Sequence, residues 1–390
     1  MAIEVGPVTD PAELVPLTAV MSHAFAVDGA MARAWFDRVG VDALRVARSG
    51  AELVGGLMRI PMGQAFGGRF VPMCGIAGVG VRADRRREGI ATELMRQVLL
   101  ELWEDGFPLT ALYASNQPLY RSVGYEQAGA HFHGVLRPRD IDVRETEGGR
   151  TTIATAADRP EVEALYREHA INRPGHLDRG PYVWARLWHP LDGAQSHVAL
   201  LRDERDKLEA YVQYTQLRRD EGLVMKVTDA ASRTSRGWRR IWTHLRDAST
   251  IVSEIRLSTS PTDPLFVLQP HPYMKMTLYE PWMLRVIDPI AALEGRGYAK
   301  GQPERLTFKV VDPMMGDQSL TMDVVDGRAK VKKGGDPTAR IYIRGLSAMY
   351  SGYLSPFEAA ALGLVEAGQR SLAAMQALFA GPSPWMRDFF

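Results

Sequence analysis

Between Leu44 and Val81 the apolar positions come in runs, Leu44–Arg48, Glu52–Pro61 and Phe70–Val81, broken at Ser49-Gly50 and Gly67-Gly68. That pattern predicts successive strands joined by tight turns. Ahead of them, Ile3–Val8 reads as a short strand and Asp10-Pro11 as a helix start, aspartate capping and proline taking the first helical position. Leu14, Leu17, Val20, Met21 and Phe25 follow at helical spacing, and Trp35 and Phe36 lie on a second apolar stripe that predicts core packing. Ile90, Leu94, Val98 and Leu102 predict an amphipathic helix, and Leu109–Ala114 a further strand.

The plan restarts near Thr151. Ile153–Val162 repeats the strand, aspartate, proline and acidic helix start of Val5–Leu14, and Leu223–Thr228 then predicts a strand and Arg236–Trp242 a helix. A third pattern opens around Arg285, with a helix over Val286–Tyr298, strands at Leu306–Val311, Leu320–Val325, Arg328–Lys332 and Ala339–Ile343, and helices at Leu346–Tyr353 and Pro356–Ala367. The last six residues, Trp385 to Phe390, hold three aromatics, a tail that should seek burial. A chain of 390 residues suits two or three domains, and the expected divisions are 1–148, 149–284 and 285–390.

Composition narrows the function classes. Lys+Arg 47 against Asp+Glu 46 gives a net charge of +1, without the basic excess of a nucleic-acid binder. Cys74 is the single cysteine, so no intrachain disulfide forms and a reducing compartment is expected. The first ten residues lack the basic-then-apolar order of a signal peptide, and no uncharged run reaches the ~18 residues of a membrane span. The expectation is a soluble, cytoplasmic protein. His131 and His133 lack a third ligand at zinc-like spacing, so no metal is expected. A lone cysteine beside an apolar strand reads as inert packing.

The candidate chemistry sits where the strand ending at Val81 passes into the helix beginning at Ile90. A helix start offers unpaired N–H groups and partial positive charge, and Gly89 has no side chain to block an anion. No Gly-x-x-x-x-Gly-Lys-Ser/Thr loop is present, and Gly78/Gly80 lacks the third glycine of a dinucleotide fingerprint. Arg86-Arg87-Glu88-Gly89-Ile90-Ala91 does fill Arg/Gln-x-x-Gly-x-Gly/Ala, and so resembles the coenzyme A pyrophosphate loop of the GNAT acetyltransferases. Ser115-Asn116, Tyr120 and Gly124-Tyr125, after the next strand, resemble the closing section of a GNAT domain. In the second repeat Thr234 stands where Arg86 would and Arg239 where Ala91 would, so that copy is expected to hold no coenzyme and to expose its arginines to solvent.

With Ser260–Leu265, Leu284–Tyr298 and the aromatic C-terminus added, the whole chain resembles the Eis (enhanced intracellular survival) family of GNAT acetyltransferases. The resemblance implies an α+β (mixed α/β) fold of tandem GNAT domains, the second degenerate, then a sterol-carrier-protein-like domain, commonly in hexamers. It implies acetyl-CoA as donor and an amine as acceptor, aminoglycosides being the best-known acceptors. By position Val79, Gly80 and Val81 would meet the pantetheine arm, and Arg86, Arg87, Glu88, Gly89, Ile90, Ala91 and Thr92 the pyrophosphate. Ser115 and Asn116 would lie near the thiol, Tyr120 would be the general acid and the Phe390 carboxylate the general base. The family's better-known members place an acid before the final Phe; Phe389 stands here, which weighs against affinity for polycations.

Direct transfer needs one group to take the ammonium proton and another to protonate the departing thiolate. A phenol of pKa about 10 is suited to donate. Two other classes fit the same sequence, a protein-lysine acetyltransferase and a non-catalytic acyl-CoA or lipid-binding protein. Tyr120 beside an intact phosphate loop favours catalysis over simple binding; the expected acceptor is a small-molecule amine, with neither nucleic acid nor membrane as partner.

Overall fold

The structure, a computed structural model, describes residues 3–220, 222–271, 273–301 and 304–390. The first third of the chain runs β1 (Glu4–Pro7), α1 (Leu14–Phe25), α2 (Gly29–Val39), β2 (Leu44–Ser49), β3 (Glu52–Phe66), β4 (Arg69–Val81), α3 (Ile90–Glu104), β5 (Leu109–Tyr113), α4 (Gln117–Ser122) and β6 (Glu126–Leu136). The middle runs β7 (Arg150–Ile153), α5 (Arg159–Ala170), β8 (Leu177–Asp178), α6 (Pro181–Trp188), β9 (Ser196–Arg202), β10 (Leu208–Arg219), β11 (Gly222–Ser232), α7 (Ser235–Asp247), β12 (Val252–Thr259), α8 (Pro264–Val267) and β13 (Lys275–Val286). The last part holds α9 (Pro289–Gly295), β14 (Glu304–Val311), β15 (Gln318–Val325), β16 (Arg328–Lys333), β17 (Ala339–Tyr342), α10 (Ile343–Ser351), α11 (Pro356–Ala361), β18 (Val365–Ala367) and α12 (Gln369–Phe379).

Among the described residues thirteen strands form one sheet, ordered β1-β2-β3-β4-β5-β13-β6-β12-β11-β10-β9-β7, with β8 beside β3. β13, from the middle of the chain, is threaded between β5 and β6, while β6 pairs onward with β12. The two halves have thus exchanged their last strands. The insertion is stable because the end of β13 that lies between β5 and β6, Trp282–Val286, is buried on both faces, with Trp282, Met283, Leu284 and Val286 sealed. A separate five-stranded sheet, β16-β15-β14-β17-β18, carries the last part, and α10 packs it against β6 and β13.

Several elements differ from the sequence reading. The helix expected over Val286–Tyr298 is only Pro289–Gly295, because Arg285 and Val286 belong to β13. Arg285 is sealed at the junction with the last domain, bonded to Asp312 at 2.7 Å. Its guanidinium lies where a side chain on Gly124 would stand, 2.7 Å from that position. The helix expected over Pro356–Ala367 stops at Ala361, Gly363 turns the chain at φ +70°, and Val365–Ala367 pairs with β17. Gln369–Phe379 is a helix the sequence reading missed.

Candidate functional site

β4 and β5 run parallel but are bonded only from Met73–Gly75 to Leu109–Ala111. Beyond that point they part. β4 goes on to Val81 against β3, and β5 to Tyr113 against β13. β4 also carries an extra residue opposite Gly56–Met58, with Gly78 at φ +60°, a bulge that redirects the strand. Val79, Gly80 and Val81 therefore lie along an edge that, among the described residues, no strand joins on the β5 side.

At the end of that edge α3 begins. Gly89 is its N-cap at φ +79°, no side chain caps it, and a side chain added there would meet open space. The apolar side of α3, including Ile90, Leu94, Val98 and Leu102, is buried against the sheet, and the first turn's N–H groups point along the helix axis out of its N-terminal end. Arg82 and Arg85 are tied up with Glu52, Asp84 and Glu88. Arg86 and Arg87 are exposed and, among the described residues, form no ion pair. Arg87 holds φ +70°, a left-handed conformation that costs a non-glycine residue on the order of 1 kcal/mol. The mouth thus has two free guanidinium groups beside unpaired donors, with Ala91 and Thr92 in its first turn.

Ser115 and Asn116 leave the end of β5 and are exposed; the Asn116 side chain caps α4, accepting from Leu119 N–H. Tyr120 is 5 % exposed and shares a core cluster with Ile90 and Leu94, against which Val79 and Val81 also pack. Burial pushes its phenol up to about 12. Tyr125 packs edge-on against it at 6.0 Å.

The tail crosses the other face of the sheet. Met73 and Gly75 face it, while Cys74 and Ile76 face α3. The Phe390 ring covers Gly75, where an added side chain would meet it at 2.6 Å, and is buried. Trp385 is buried too, but Phe389 is 42 % exposed, lying on the Tyr113 ring at 4.6 Å with Arg186 over it at 5.7 Å. Tyr120 and Phe390 thus stand on opposite faces at the point where β4 and β5 separate.

The remaining candidates fall away from the chemistry. Cys74 is sealed and burial pushes its thiol up to about 11, so it stays protonated and un-nucleophilic. His131 and His133 sit on β6; burial lowers His131 to about 4, and His133 stacks on Tyr279 at 3.9 Å. Among the described residues no three His, Cys, Asp or Glu side chains gather as a metal site.

The mouth of α7 is built differently from that of α3. Thr234 caps it, accepting from Gly237 N–H at 2.9 Å, and donates to Glu209. Arg236, Arg239 and Arg240 are not the solvated face expected. Arg240 is buried on Glu209 at 2.9 Å, Arg236 also pairs with Glu209, and Arg239 with Glu145. Glu209, which gathers Arg236 and Arg240, places a fixed negative charge beside the start of α7.

Sequence reasoning missed the groups that hold the tail. Tyr113 donates to the Asp388 carbonyl at 2.7 Å and lies 3.4 Å from His131 Nδ1, whose Nε2 meets Ser258 at 3.0 Å. Arg179 Nε donates to Asp388 at 2.9 Å. Only the aromatic tail signalled that something must receive it.

Comparison with known proteins follows the same three parts. Acetyltransferase (GNAT) domain families match residues 9–128 and 175–286, and the sterol carrier protein domain family matches 289–387. N-acetyltransferase Eis of Mycobacterium bovis is 27% identical over 333 residues, spanning 79% of this chain and 76% of that protein. The crystal structure of a GCN5-related N-acetyltransferase from Anabaena variabilis superposes with TM-score 0.95 at 28% identity, covering 100% of both chains. Eis1 from Mycobacterium abscessus shares the fold, with TM-score 0.82 at 23% identity and 100% of both chains covered. With two GNAT domains, a sterol-carrier domain and these relatives in common, the chain belongs to the Eis family of acetyl-CoA-dependent GNAT N-acetyltransferases.

Proposed function

We propose that this enzyme moves the acetyl group of acetyl-CoA by direct attack onto a primary amine of a small molecule, within the functional partition 1–148, 149–284 and 285–390. The diphosphate lies at the mouth of α3, on the N–H groups from Gly89 to Thr92 with Arg86, Arg87 and the Glu88 backbone around it. The pantetheine arm follows Val79, Gly80 and Val81 along the free edge of β4, whose N–H groups also steady the thioester oxygen as charge develops. Ser115 and Asn116, at the end of β5, lie near the thiol. The observation carrying this reading is the uncapped mouth at the end of a strand edge without a partner.

Tyr120 acts as general acid. Its raised pKa keeps the phenol loaded across the neutral range and opposes a lasting phenolate, so the proton passes as the thiol departs. The Phe390 carboxylate acts as general base, carried by a residue whose ring is seated on Gly75 and against Tyr113. With Phe389 in the penultimate place, an aminoglycoside-like polyamine enters the acceptor screen as one candidate among several amines.

Thiol release from acetyl-CoA, followed across a panel of primary amines, tests the reaction. Tyr120→Phe should lower kcat about a hundredfold with the acetyl-CoA KM retained; unchanged turnover removes Tyr120 from the role.

A further inference from the structure

We propose that the second GNAT domain keeps its own strand wedge as a socket for the chain's C-terminal segment, with Arg179 and Asp388 as the positioning pair that fixes where Phe390 stands. β11 and β12 are bonded in parallel only between Leu223–Val227 and Val252–Leu257, after which they separate as β4 and β5 do. In the first domain, among the described residues, no strand pairs with that side of Val79–Val81. In the second it is filled by the tail.

The filling is specific at each residue. β12 pairs with β6 as far as Thr259↔Phe132, and Trp385 then bridges Ala130 on the same strand, so the tail continues the sheet where β12 leaves it. The backbone is held on both sides, by Ala130 N–H to the Pro384 carbonyl and Met386 N–H to the Ala130 carbonyl. Arg387 donates to the Ala230 carbonyl at 3.0 Å and to Asp263 at 2.8 Å. Asp388 accepts from Arg179 Nε at 2.9 Å and from the Tyr166 hydroxyl at 3.2 Å. Arg179 in turn lies over the Tyr166 ring at 3.4 Å and donates to Asp229, on the separated part of β11, at 2.5 Å. Gly175, at φ +92°, lets the Trp385 carbonyl approach to 2.8 Å of where its side chain would begin.

These charged side chains are almost fully sealed. Buried ion pairs add little net stability over apolar packing, because desolvation offsets the attraction; what they supply is a unique register. A tail of Trp, Met and Phe held by apolar contact alone could settle one residue out of place, moving Phe390 by about 3.3 Å. Alternating Arg387 and Asp388, each with its own partner, forbid that slip. The closed mouth of α7 and the occupied wedge are then one adaptation, a domain that no longer presents a coenzyme site and presents the tail instead.

The consequence for catalysis rests on the reading of Phe390 as general base, and the test separates the two. In the full-length protein, Asp388→Asn leaves Arg179 its Asp229 partner, so the fold should persist; Arg387→Met is a second, independent variant. Hydrogen exchange reports the seating of residues 384–390, and steady-state kinetics report the chemistry. Both variants should speed exchange in the tail at least about tenfold while α3 stays protected, and lower kcat about 10- to 100-fold with the acetyl-CoA KM unchanged. Unchanged tail exchange in both variants overturns the socket. A loosened tail with unchanged kcat upholds the socket and removes Phe390 from the chemistry. Two residues appended after Phe390 should lower kcat without loosening Trp385–Asp388; a loss of protection there would also count against the socket.

Discussion

Gly75 is the residue on which two faces of the sheet depend. Its neighbours Cys74 and Ile76 serve the helix side, and its missing side chain makes room for Phe390 on the other. Gly75→Ala should displace the Phe390 ring, since ring carbons stand 2.6 and 2.8 Å from the new atom and Met62 stands 2.8 Å away. Rates should fall at least about tenfold with acetyl-CoA binding kept, because the change displaces the proposed base without touching the α3 mouth. Isothermal titration with coenzyme A alongside steady-state rates checks both halves of that expectation. Nothing local to Gly75 announced its role, since a glycine in a strand reads equally as a bulge or a weak point; the partner that explains it is far along the chain.

The helices α3 and α7 show how one element can be kept and its use changed. Both follow a strand that has left its parallel neighbour. One starts on a bare glycine between free arginines, the other on Thr234 and Glu209. Replacing Arg86 and Arg87 together by Ala should raise the KM for acetyl-CoA about tenfold at low ionic strength and leave kcat nearly unchanged, the difference shrinking as salt is added. Kinetics at two salt concentrations measure it.

This contrast was legible in sequence because it rests on adjacent residues, Arg86 to Ala91 against Thr234 to Arg239. The end of α11 was not. Leu362-Gly363-Leu364 continues an apolar run, and only the pairing of Val365–Ala367 with β17 decides for strand. Arg240 misled in the opposite sense, since an arginine among arginines looks solvated until Glu209 is brought beside it.

At the scale of the molecule, charge and burial set a pH limit. His131, His169 and His176 are all held below their ordinary value by burial, His131 to about 4. A folded-state pKa below the unfolded one favours folding fully above about 6.5, and that contribution is lost as pH falls toward 4, because the unfolded chain takes up the protons first. The melting midpoint should therefore drop between pH 7 and 4.5, and His131→Gln should flatten that slope. His176 packs edge-on against Trp385 at 4.6 Å, so the tail should loosen along with it. The hexamer implied by resemblance is likewise proposed for the whole molecule; light scattering should give a mass near six times 43.3 kDa. Three-part organisation could be read from the repeated strand, aspartate and proline, but the exchange of β6 and β13 could not. A buried strand looks the same whichever neighbours it joins.

That exchange has a bearing on how the protein is made. As the first half leaves the ribosome, β5 and β6 have no direct bond to each other, and the strand that joins them is the last to be synthesised of the thirteen. At ordinary translation rates roughly ten seconds or more separate the emergence of β6 from that of β13. Until β12 and β13 emerge, β6 lacks both its partners and β5 one of its own, leaving bare strand edges that invite wrong partners. Chaperone demand should accordingly be concentrated on chains stalled before residue 275, and fall once the missing strand has slid home.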